Sequence, residues 1–367
     1  MRPPLRPLAL AVALAGPLPV NLGAQGPRVE ITVPVAVRAE PLTGRVYVFV
    51  TRRAEIEPRR QVRHESDCIP FFGEFSRAWR SPGFPQMIAV TLQHPTPYFD
   101  DSYAVNSANN GPYGDAILQE LIPYLETQFR MIRAPWALVL TGGSTGGWEA
   151  LALQVYHPDF FGGTWVLYPD PVDVRNYELV DIYSDTNAFV RRVAEWMTAE
   201  VPAEQEVTGQ PRISVRMKSQ FEAVLGSHAR SGEQFAIWEA TYGPVGPDGY
   251  PAELWDLRTG HINREVAEYF RAHDYDPRDY LERNWATLGP KLKGQIHVFT
   301  GDMDTFYLNL AVYRLEEFLS RARPAADAEF VYGRPMKPHG WQPWTNAELL
   351  RIMARHIERH RPRSERR

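Results

Sequence analysis

The pattern of apolar and polar residues predicts both strands and helices in the first third of the chain. Residues 29–33 and 45–51 alternate apolar with polar positions around a Pro-Leu-Thr-Gly turn, which is typical of a β-hairpin. The apolar run at 87–92 predicts a buried strand. Apolar residues then recur at helical spacing from residue 114, and the predicted apolar face comprises Ile117, Leu121, Ile122, Leu125 and Phe129.

The alternation of strands and helices continues on both sides of a long irregular segment. Strands are predicted for the apolar run from 136 up to Gly142 and at 163–168, 294–300 and 328–332. Helices are predicted at 148–156, 307–321 and 346–360. Strands that alternate with helices imply an α/β fold with a mostly parallel central sheet and helices on both faces.

Residues 171–290 break this rhythm. They are aromatic throughout and rich in Gly and Pro in places, with a helical stretch predicted at 188–201. We interpret them as a large helical and loop insertion that lies over the sheet like a cap. The expected division starts with a signal peptide at 1–24 and an N-terminal β section with loops at 25–86. The α/β core follows in two pieces, 87–170 and 291–367, with the insertion at 171–290 between them.

The N-terminus has the pattern of a secretory signal peptide. Arg2 and Arg6 give the N-terminus a positive charge ahead of an apolar stretch at 8–15, which is too short to span a bilayer, and small residues at 22–24 offer a cleavage site. We expect cleavage and export to the periplasm or the outside, with an uncleaved anchor as the alternative. The single cysteine, Cys68, cannot form an internal disulfide, so the exported protein depends on its core for stability.

Composition narrows the possible partners. The 367-residue chain has a net charge of −4, which gives no reason to expect nucleic-acid binding. The basic run at 356–367 is short and contains two glutamates, so we interpret it as a solvated tail. After the N-terminus, the sequence has no apolar stretch long enough for a transmembrane helix.

The most informative motif is Gly142-Gly143-Ser144-Thr145-Gly146, which fits G-x-S-x-G between a predicted strand and a predicted helix. A serine at such a tight turn projects its hydroxyl from the sheet edge, and glycine leaves room for the strained backbone and for a substrate. The N–H of Thr145 would then point at the oxyanion that forms when the serine attacks a carbonyl. This context predicts that Ser144 is a nucleophile.

A nucleophilic serine needs a base and an orienting carboxylate, and later strands supply both. The strand at 294–300 leads into Asp302 and Asp304, and the strand at 328–332 leads into a Pro/Gly loop with His339. Ligand sites in such sheets form just past the strand ends. We predict His339 as the base and favour Asp304 over Asp302 as the acid, with the other aspartate capping the helix that starts near residue 307.

These motifs resemble those of the putative-esterase family of α/β hydrolases, which is related to feruloyl and acetyl xylan esterases, enterochelin esterases and mycolyltransferases. The resemblance rests on Gly142-Gly-Ser-Thr-Gly-Gly-Trp148, Gly301-Asp-Met-Asp-Thr-Phe-Tyr-Leu308 and His339-Gly-Trp341, and covers about 87–170 and 291–360. It implies an α/β-hydrolase fold in which Ser144 is the nucleophile and Thr145 one oxyanion donor. His339 would act as base and then acid, oriented by Asp304.

Two departures from the family pattern limit what the resemblance implies. No His-Gly-Gly motif follows an early strand, so the second oxyanion donor stays unplaced, either in the loop at 71–73 or after Leu92. The insertion at 171–290 is larger than a minimal esterase needs, so the resemblance does not define the class of substrate.

Aromatic residues near the predicted mouth are candidates for contact with a sugar or aryl group, or equally for packing under the insertion. The pocket prediction is Tyr98, Trp148 and Trp341, with Tyr103 and Trp344 nearby. We interpret Asp100-Asp101 as a solvated pair and Glu149 as a charge that favours the helix start. No spacing of ligand residues or phosphate-binding fingerprint stands out, so we expect neither a metal nor a cofactor.

The sequence therefore predicts a secreted serine esterase that cleaves a small-molecule or glycan-linked carboxylic ester through an acyl-enzyme on Ser144. One alternative is an acyltransferase or peptidase with the same chemistry. The other is an esterase-like protein that only binds a ligand, since folds are reused without their chemistry.

Overall fold

The computed structural model describes residues 81–96, 98–99 and 101–365. The described residues all belong to one compact unit. The predicted signal peptide, the hairpin at 29–51, Cys68 and the loop at 71–73 lie outside the described residues. The predicted division into core and insertion stays a prediction.

The strands of the described residues fall into one parallel sheet and three short antiparallel pairs. In chain order they are β1 (Asn106–Ser107), β2 (Gly111–Pro112), β3 (Leu140–Gly143), β4 (Thr164–Leu167), β5 (Val190–Ala194), β6 (Met197–Glu200), β7 (Pro202–Gln205), β8 (Pro211–Ser214), β9 (Ile296–Gly301) and β10 (Glu329–Gly333). The parallel sheet has the order β10-β9-β4-β3, whereas β1 with β2, β5 with β6 and β7 with β8 form the pairs.

The register of the parallel sheet brings the carboxyl ends of its strands to one edge. Gly143 at the end of β3 lies opposite Leu167 at the end of β4, and Gly333 at the end of β10 lies opposite Gly301 at the end of β9. The loops that leave these strands therefore start side by side, where binding sites of parallel sheets form.

Helices connect and cover the strands. A helix with a central π-helical stretch, α1, comprises Tyr113–Asp115, Ala116–Leu121 and Ile122–Gln128. The others are α2 (Thr145–Tyr156), α3 (Val215–Leu225), α4 (Gln234–Tyr242), α5 (Arg264–Ala272), α6 (Pro277–Leu292), α7 (Asn309–Arg321) and α8 (Asn346–His360). Short 3-10 turns occur at Pro135–Ala137, Val174–Asn176 and Arg363–Glu365.

Side chains alternate between the two faces of the sheet, and each face is covered. Val166 and Val298 pack in the larger core with apolar residues of α2, α6 and α7. Trp165, Leu167 and Phe299 point the other way and pack against Leu349, Leu350 and Met353 of α8. Burial on both faces is what a parallel sheet requires. The observed fold matches the predicted α/β architecture with helices on both faces.

Two predicted elements are wrong. Residues 87–92 pair with no strand of the described sheet, and Ile88 and Val90 are 46% and 45% exposed. A short apolar run is compatible with a strand, but the run alone does not provide a neighbour to pair with. The stretch at 188–201 is not helical, because β5 and β6 form a hairpin there with Trp196 exposed at its turn. Its β-branched residues fit a strand.

The segment at 171–290 contains the antiparallel pairs β5–β6 and β7–β8 and the helices α3, α4 and α5 with the start of α6. Its interior is aromatic, with Tyr177, Trp238 and Trp255 fully buried among one another. Within the described ranges, no helix is long and apolar enough to cross a membrane.

Candidate active site

Ser144 sits at a sharp turn between β3 and α2. Its backbone has φ 57° and ψ −121°, a region that residues with a side chain rarely adopt. The flanking glycines make this turn possible, since a Cβ on Gly142 would lie 2.1 Å from the carbonyl oxygen of Gly146. A Cβ on Gly147 would lie 2.6 Å from the carbonyl oxygen of Leu167 in β4. The strained turn therefore projects the serine hydroxyl past the sheet edge.

The structure brings Ser144, His339 and Asp304 into one hydrogen-bonded chain. Nε2 of His339 lies 3.0 Å from Oγ of Ser144, and Nδ1 of the same ring lies 2.7 Å from Oδ2 of Asp304. Asp304 is fully buried. These are the distances at which a histidine can take a proton from a serine while a carboxylate orients the ring.

Asp304 is held by the backbone of the segment that leads into α7. Its Oδ1 accepts hydrogen bonds from the N–H groups of Phe306 and Leu308, at 2.9 and 3.3 Å. Gln205 of β7 donates its side-chain amide to the Asp304 carbonyl at 2.9 Å. The orientation of Oδ2 toward His339 is therefore fixed from two sides.

Asp302 has a different position from the one predicted. It does not cap the helix that follows; its Oδ1 accepts a hydrogen bond of 2.9 Å from the backbone N–H of Lys337. Neither aspartate caps α7, whose first turn has no side-chain cap, so the predicted capping role is wrong. Asp304 makes the predicted contact with His339. Asp302 instead ties the loop after β9 to the loop that carries His339.

The environment of His339 favours its protonated form more than water does. Burial of the ring lowers its pKa, but the charge and hydrogen bond of Asp304 oppose this effect, and the pKa is raised above its usual value. The ring edge also contacts Tyr168 and Phe306, with centroids at 5.0 and 5.1 Å. The ring is thus fixed by packing as well as by hydrogen bonds.

Asp170 is a site residue that the sequence reasoning did not assign. It follows β4, and its Oδ1 lies 3.2 Å from Oγ of Ser144. It is 2% exposed. The sequence contains a pattern that could have identified it, since Asp170 stands just past the end of a predicted strand, as Asp304 does.

Thr145 begins α2, where backbone N–H groups have no partner within the helix. That N–H is the position predicted for an oxyanion donor. The Thr145 hydroxyl lies 3.2 Å from both Tyr103 Oη and Asp170 Oδ2, so its side chain faces the same polar cluster. One candidate loop for the second donor, 71–73, lies outside the described residues.

The three predicted pocket aromatics have different surroundings. Trp148 is fully buried between Tyr103 and Tyr242, with ring centroids at 5.6 and 5.0 Å, so it is a core residue and does not line an open pocket. Tyr98 is 45% exposed, and the Arg230 guanidinium stacks on its ring. Trp341 is half-buried, and its ring packs so closely on Gly333 that a Cβ there would lie 2.4 Å away.

A second cluster of polar side chains lies beside the site. His94 Nε2 is 3.6 Å from Glu149 Oε1, and His94 Nδ1 is 3.6 Å from Asp101 Oδ1. Asp101 is therefore not the solvated residue that was predicted, and burial with the nearby Glu149 raises its pKa to about 8. These are residue types that bind divalent cations, but Ser102 donates its backbone N–H to His94 Nδ1 and occupies that nitrogen.

Part of the chain matches the model of a known protein family. The model of the family described as putative esterase matches residues 71–181, which include Ser144 and Asp170. A solved ferulic acid esterase is similar at 13% identity and a TM-score of 0.36, with 71% of this chain and 66% of that chain covered. FphF, a fluorophosphonate-binding serine hydrolase of Staphylococcus aureus solved with substrate bound, is similar at 16% identity and a TM-score of 0.38, with 70% and 68% covered. No curated protein matches the chain.

Proposed function

We propose that this chain is a serine esterase of the putative-esterase family, whose model matches residues 71–181, and that it cleaves carboxylic esters through an acyl-enzyme on Ser144. The observation that carries the proposal is the hydrogen-bonded chain from Ser144 through His339 to Asp304. A serine in water is a poor nucleophile, and this arrangement supplies the base and the orienting carboxylate that it needs.

The proposed reaction has two halves. As Oγ of Ser144 attacks the ester carbonyl, His339 Nε2 takes the hydroxyl proton and the Thr145 N–H stabilises the oxyanion. The tetrahedral intermediate collapses, and the alcohol leaves with the proton from His339. Water then attacks the acyl-enzyme with His339 again as base, which releases the carboxylic acid and restores Ser144. Asp304 keeps Nδ1 protonated and stabilises the imidazolium in both halves.

A fluorophosphonate probe tests this assignment directly, because it phosphonylates an activated serine. We expect labelling of the wild type and loss of labelling in Ser144→Ala and His339→Ala. Ser227→Ala, at an exposed serine in the loop after α3, is the matched control and should be labelled like the wild type. A folded wild type that takes no label would overturn the triad and favour a non-catalytic binding protein.

The ester itself is tested with a panel that varies the acyl group and the alcohol separately. Small-molecule and glycan-linked esters are the proposed substrates, and release of free acid in water identifies hydrolysis. Transfer of the acyl group to an added alcohol in preference to water would instead identify an acyltransferase. Cleavage of peptides but not of esters would identify a peptidase.

We also propose that the protein is exported after removal of residues 1–24. The support is the charged start, short apolar stretch and small residues of the N-terminus. Cell fractionation with N-terminal sequencing of the product tests this proposal. An intact N-terminus in the cytoplasmic fraction would contradict it.

A further inference from the structure

Asp170 is a buried carboxyl group beside the nucleophile that the proposed hydrolysis does not use. It follows β4 between two prolines, and its backbone N–H donates to the Ser144 carbonyl at 3.3 Å. With 2% exposure, its side chain is sealed from solvent. A buried carboxyl group so close to a reacting oxygen must affect where the serine proton lies.

The two oxygens of Asp170 have different surroundings. Oδ2 accepts hydrogen bonds from the Tyr103 hydroxyl at 2.6 Å and from the Trp238 indole N–H at 3.2 Å. The Thr145 hydroxyl and the Gln234 amide also donate to Oδ2, at 3.2 and 3.4 Å. Among the described residues, the hydrogen bond of Oδ1 is with Ser144. Because donors already crowd Oδ2, a proton on Asp170 belongs on Oδ1, between it and Oγ of Ser144.

Oγ of Ser144 lies between two possible acceptors, Nε2 of His339 at 3.0 Å and Oδ1 of Asp170 at 3.2 Å. A hydroxyl has one proton to donate. If Asp170 is ionised, its carboxylate competes with His339 for that proton. When the hydroxyl donates to Asp170, Nε2 of His339 faces a lone pair of Oγ instead of the proton. If Asp170 is neutral, it donates to Oγ, and the serine proton points at His339.

The surroundings of Asp170 raise its pKa above the usual value for an aspartate. Burial raises its pKa, and this effect exceeds the opposing hydrogen bonds of Tyr103, Trp238 and Thr145 and the charge of His339. The titratable groups around it are His339, Tyr103 and, farther away, Tyr177 and Tyr242. Burial holds the pKa of all three tyrosines well above its usual value, so they stay neutral. Within the described ranges no Lys or Arg pairs with Asp170.

We propose that Asp170 acts on the nucleophile as a neutral carboxylic acid whose Oδ1–H donates to Oγ of Ser144. This inference rests on the proposed serine-esterase function. In acylation the donated hydrogen bond directs the serine proton to His339. In deacylation it stabilises the electron pair that returns to Oγ as the carbon–oxygen bond breaks. Asp170 keeps its proton throughout, so the proton balance of the reaction is unchanged.

The test is the pH dependence of kcat/KM in the wild type and two variants. In the wild type, kcat/KM should fall by about tenfold per pH unit above the pH at which Asp170 ionises. Asp170→Asn cannot ionise, so its profile should lack this alkaline decrease whatever its absolute activity. Tyr103→Phe removes a donor that stabilises the ionised carboxylate, so the decrease should move to higher pH.

A second measurement does not depend on turnover. The infrared difference spectrum of wild type minus Asp170→Asn should contain a C=O stretch of a protonated carboxyl group, which disappears at alkaline pH. The subtraction removes the bands of other buried carboxyl groups, such as Asp101 and Glu239. An alkaline decrease that is identical in all three proteins would overturn the inference, as would the absence of that band from the difference spectrum. A wild type that neither takes the fluorophosphonate label nor hydrolyses esters would instead overturn the proposed function.

Discussion

The carboxylate of Asp304 contacts His339 with one oxygen and the backbone leading into α7 with the other. Oδ2 lies 2.7 Å from Nδ1 of His339, and Oδ1 accepts the N–H of Phe306 at 2.9 Å. A single fully buried side chain therefore couples the position of the histidine to the fold of the loop after β9. This coupling is stronger than a surface ion pair gives, since burial prevents water from competing for either oxygen.

Replacement of Asp304 by Asn should reduce kcat/KM by about 10³–10⁴-fold, because the amide leaves His339 in the wrong tautomer and no longer stabilises the imidazolium. The pKa of His339 should also fall, since Asp304 raises it. The acid decrease in activity, which follows protonation of His339, should therefore move to lower pH. Steady-state kinetics over a range of pH measures both effects.

Asp302→Asn is the matched control for that experiment. Asp302 accepts the Lys337 N–H with Oδ1, and an asparagine oxygen can accept the same hydrogen bond. We expect a decrease of less than about tenfold in kcat/KM. Equal losses in the two variants would contradict the assignment of Asp304 as the orienting carboxylate.

The glycines around Ser144 should differ in their tolerance of a methyl group. Gly142→Ala would place a Cβ 2.1 Å from a carbonyl oxygen, and we expect a loss of more than about 3 kcal/mol in the free energy of unfolding. Gly146→Ala is the control, because its Cβ meets nothing within 4 Å and alanine favours a helix by about 1 kcal/mol. Urea denaturation measures both, and similar losses would contradict the close approach at Gly142.

Much of the parallel sheet, and the side chains that meet at its edge, could be predicted because local sequence patterns determine them. The strand ends at Gly143, Gly301 and Gly333 follow from apolar runs that stop at glycine, and α8 begins and ends where its apolar spacing predicts. The geometric proximity of Ser144, Asp304 and His339 follows from one rule, that loops at the carboxyl ends of parallel strands meet.

What could not be predicted depends on contacts between distant residues. Asp170 receives donors from residues 103, 145, 234 and 238, and no local pattern relates those positions. Trp148 follows the glycine-rich turn of Ser144 directly in the sequence, but it is buried because it packs against Tyr103 and Tyr242. The 188–201 hairpin has apolar residues spaced like a helix, and pairing between β5 and β6 overrides that spacing.

Trp148 and Tyr98 should respond differently to truncation. Trp148→Ala removes a fully buried indole, and we expect a loss of about 3–5 kcal/mol in the free energy of unfolding. Tyr98→Ala removes a side chain that is 45% exposed, and its effect should be below about 1 kcal/mol with any change confined to KM. Chemical denaturation with kinetics on the same samples separates the two outcomes. If Trp148→Ala is as stable as the wild type but has a raised KM, Trp148 lines the substrate pocket, as the sequence predicted.

Glu239 makes the folded state less stable as pH rises. It is buried in α4, where desolvation raises its pKa from 4.5 to about 8 although it accepts the Leu254 N–H. A raised pKa in the folded state means that its contribution to stability is complete below about pH 4.5 and lost as pH rises through about 8.

Glu239→Gln keeps the acceptor for Leu254 but cannot ionise, so it should be more stable than the wild type at pH 8 and little changed at pH 4.5. One pKa unit corresponds to about 1.4 kcal/mol, so the difference at pH 8 should reach up to about 4 kcal/mol. Denaturation at both pH values measures it. Glu358→Gln, at an exposed glutamate of α8, is the control and should show no such pH-dependent gain. A gain that is the same at both pH values would show that packing, and not charge, is responsible.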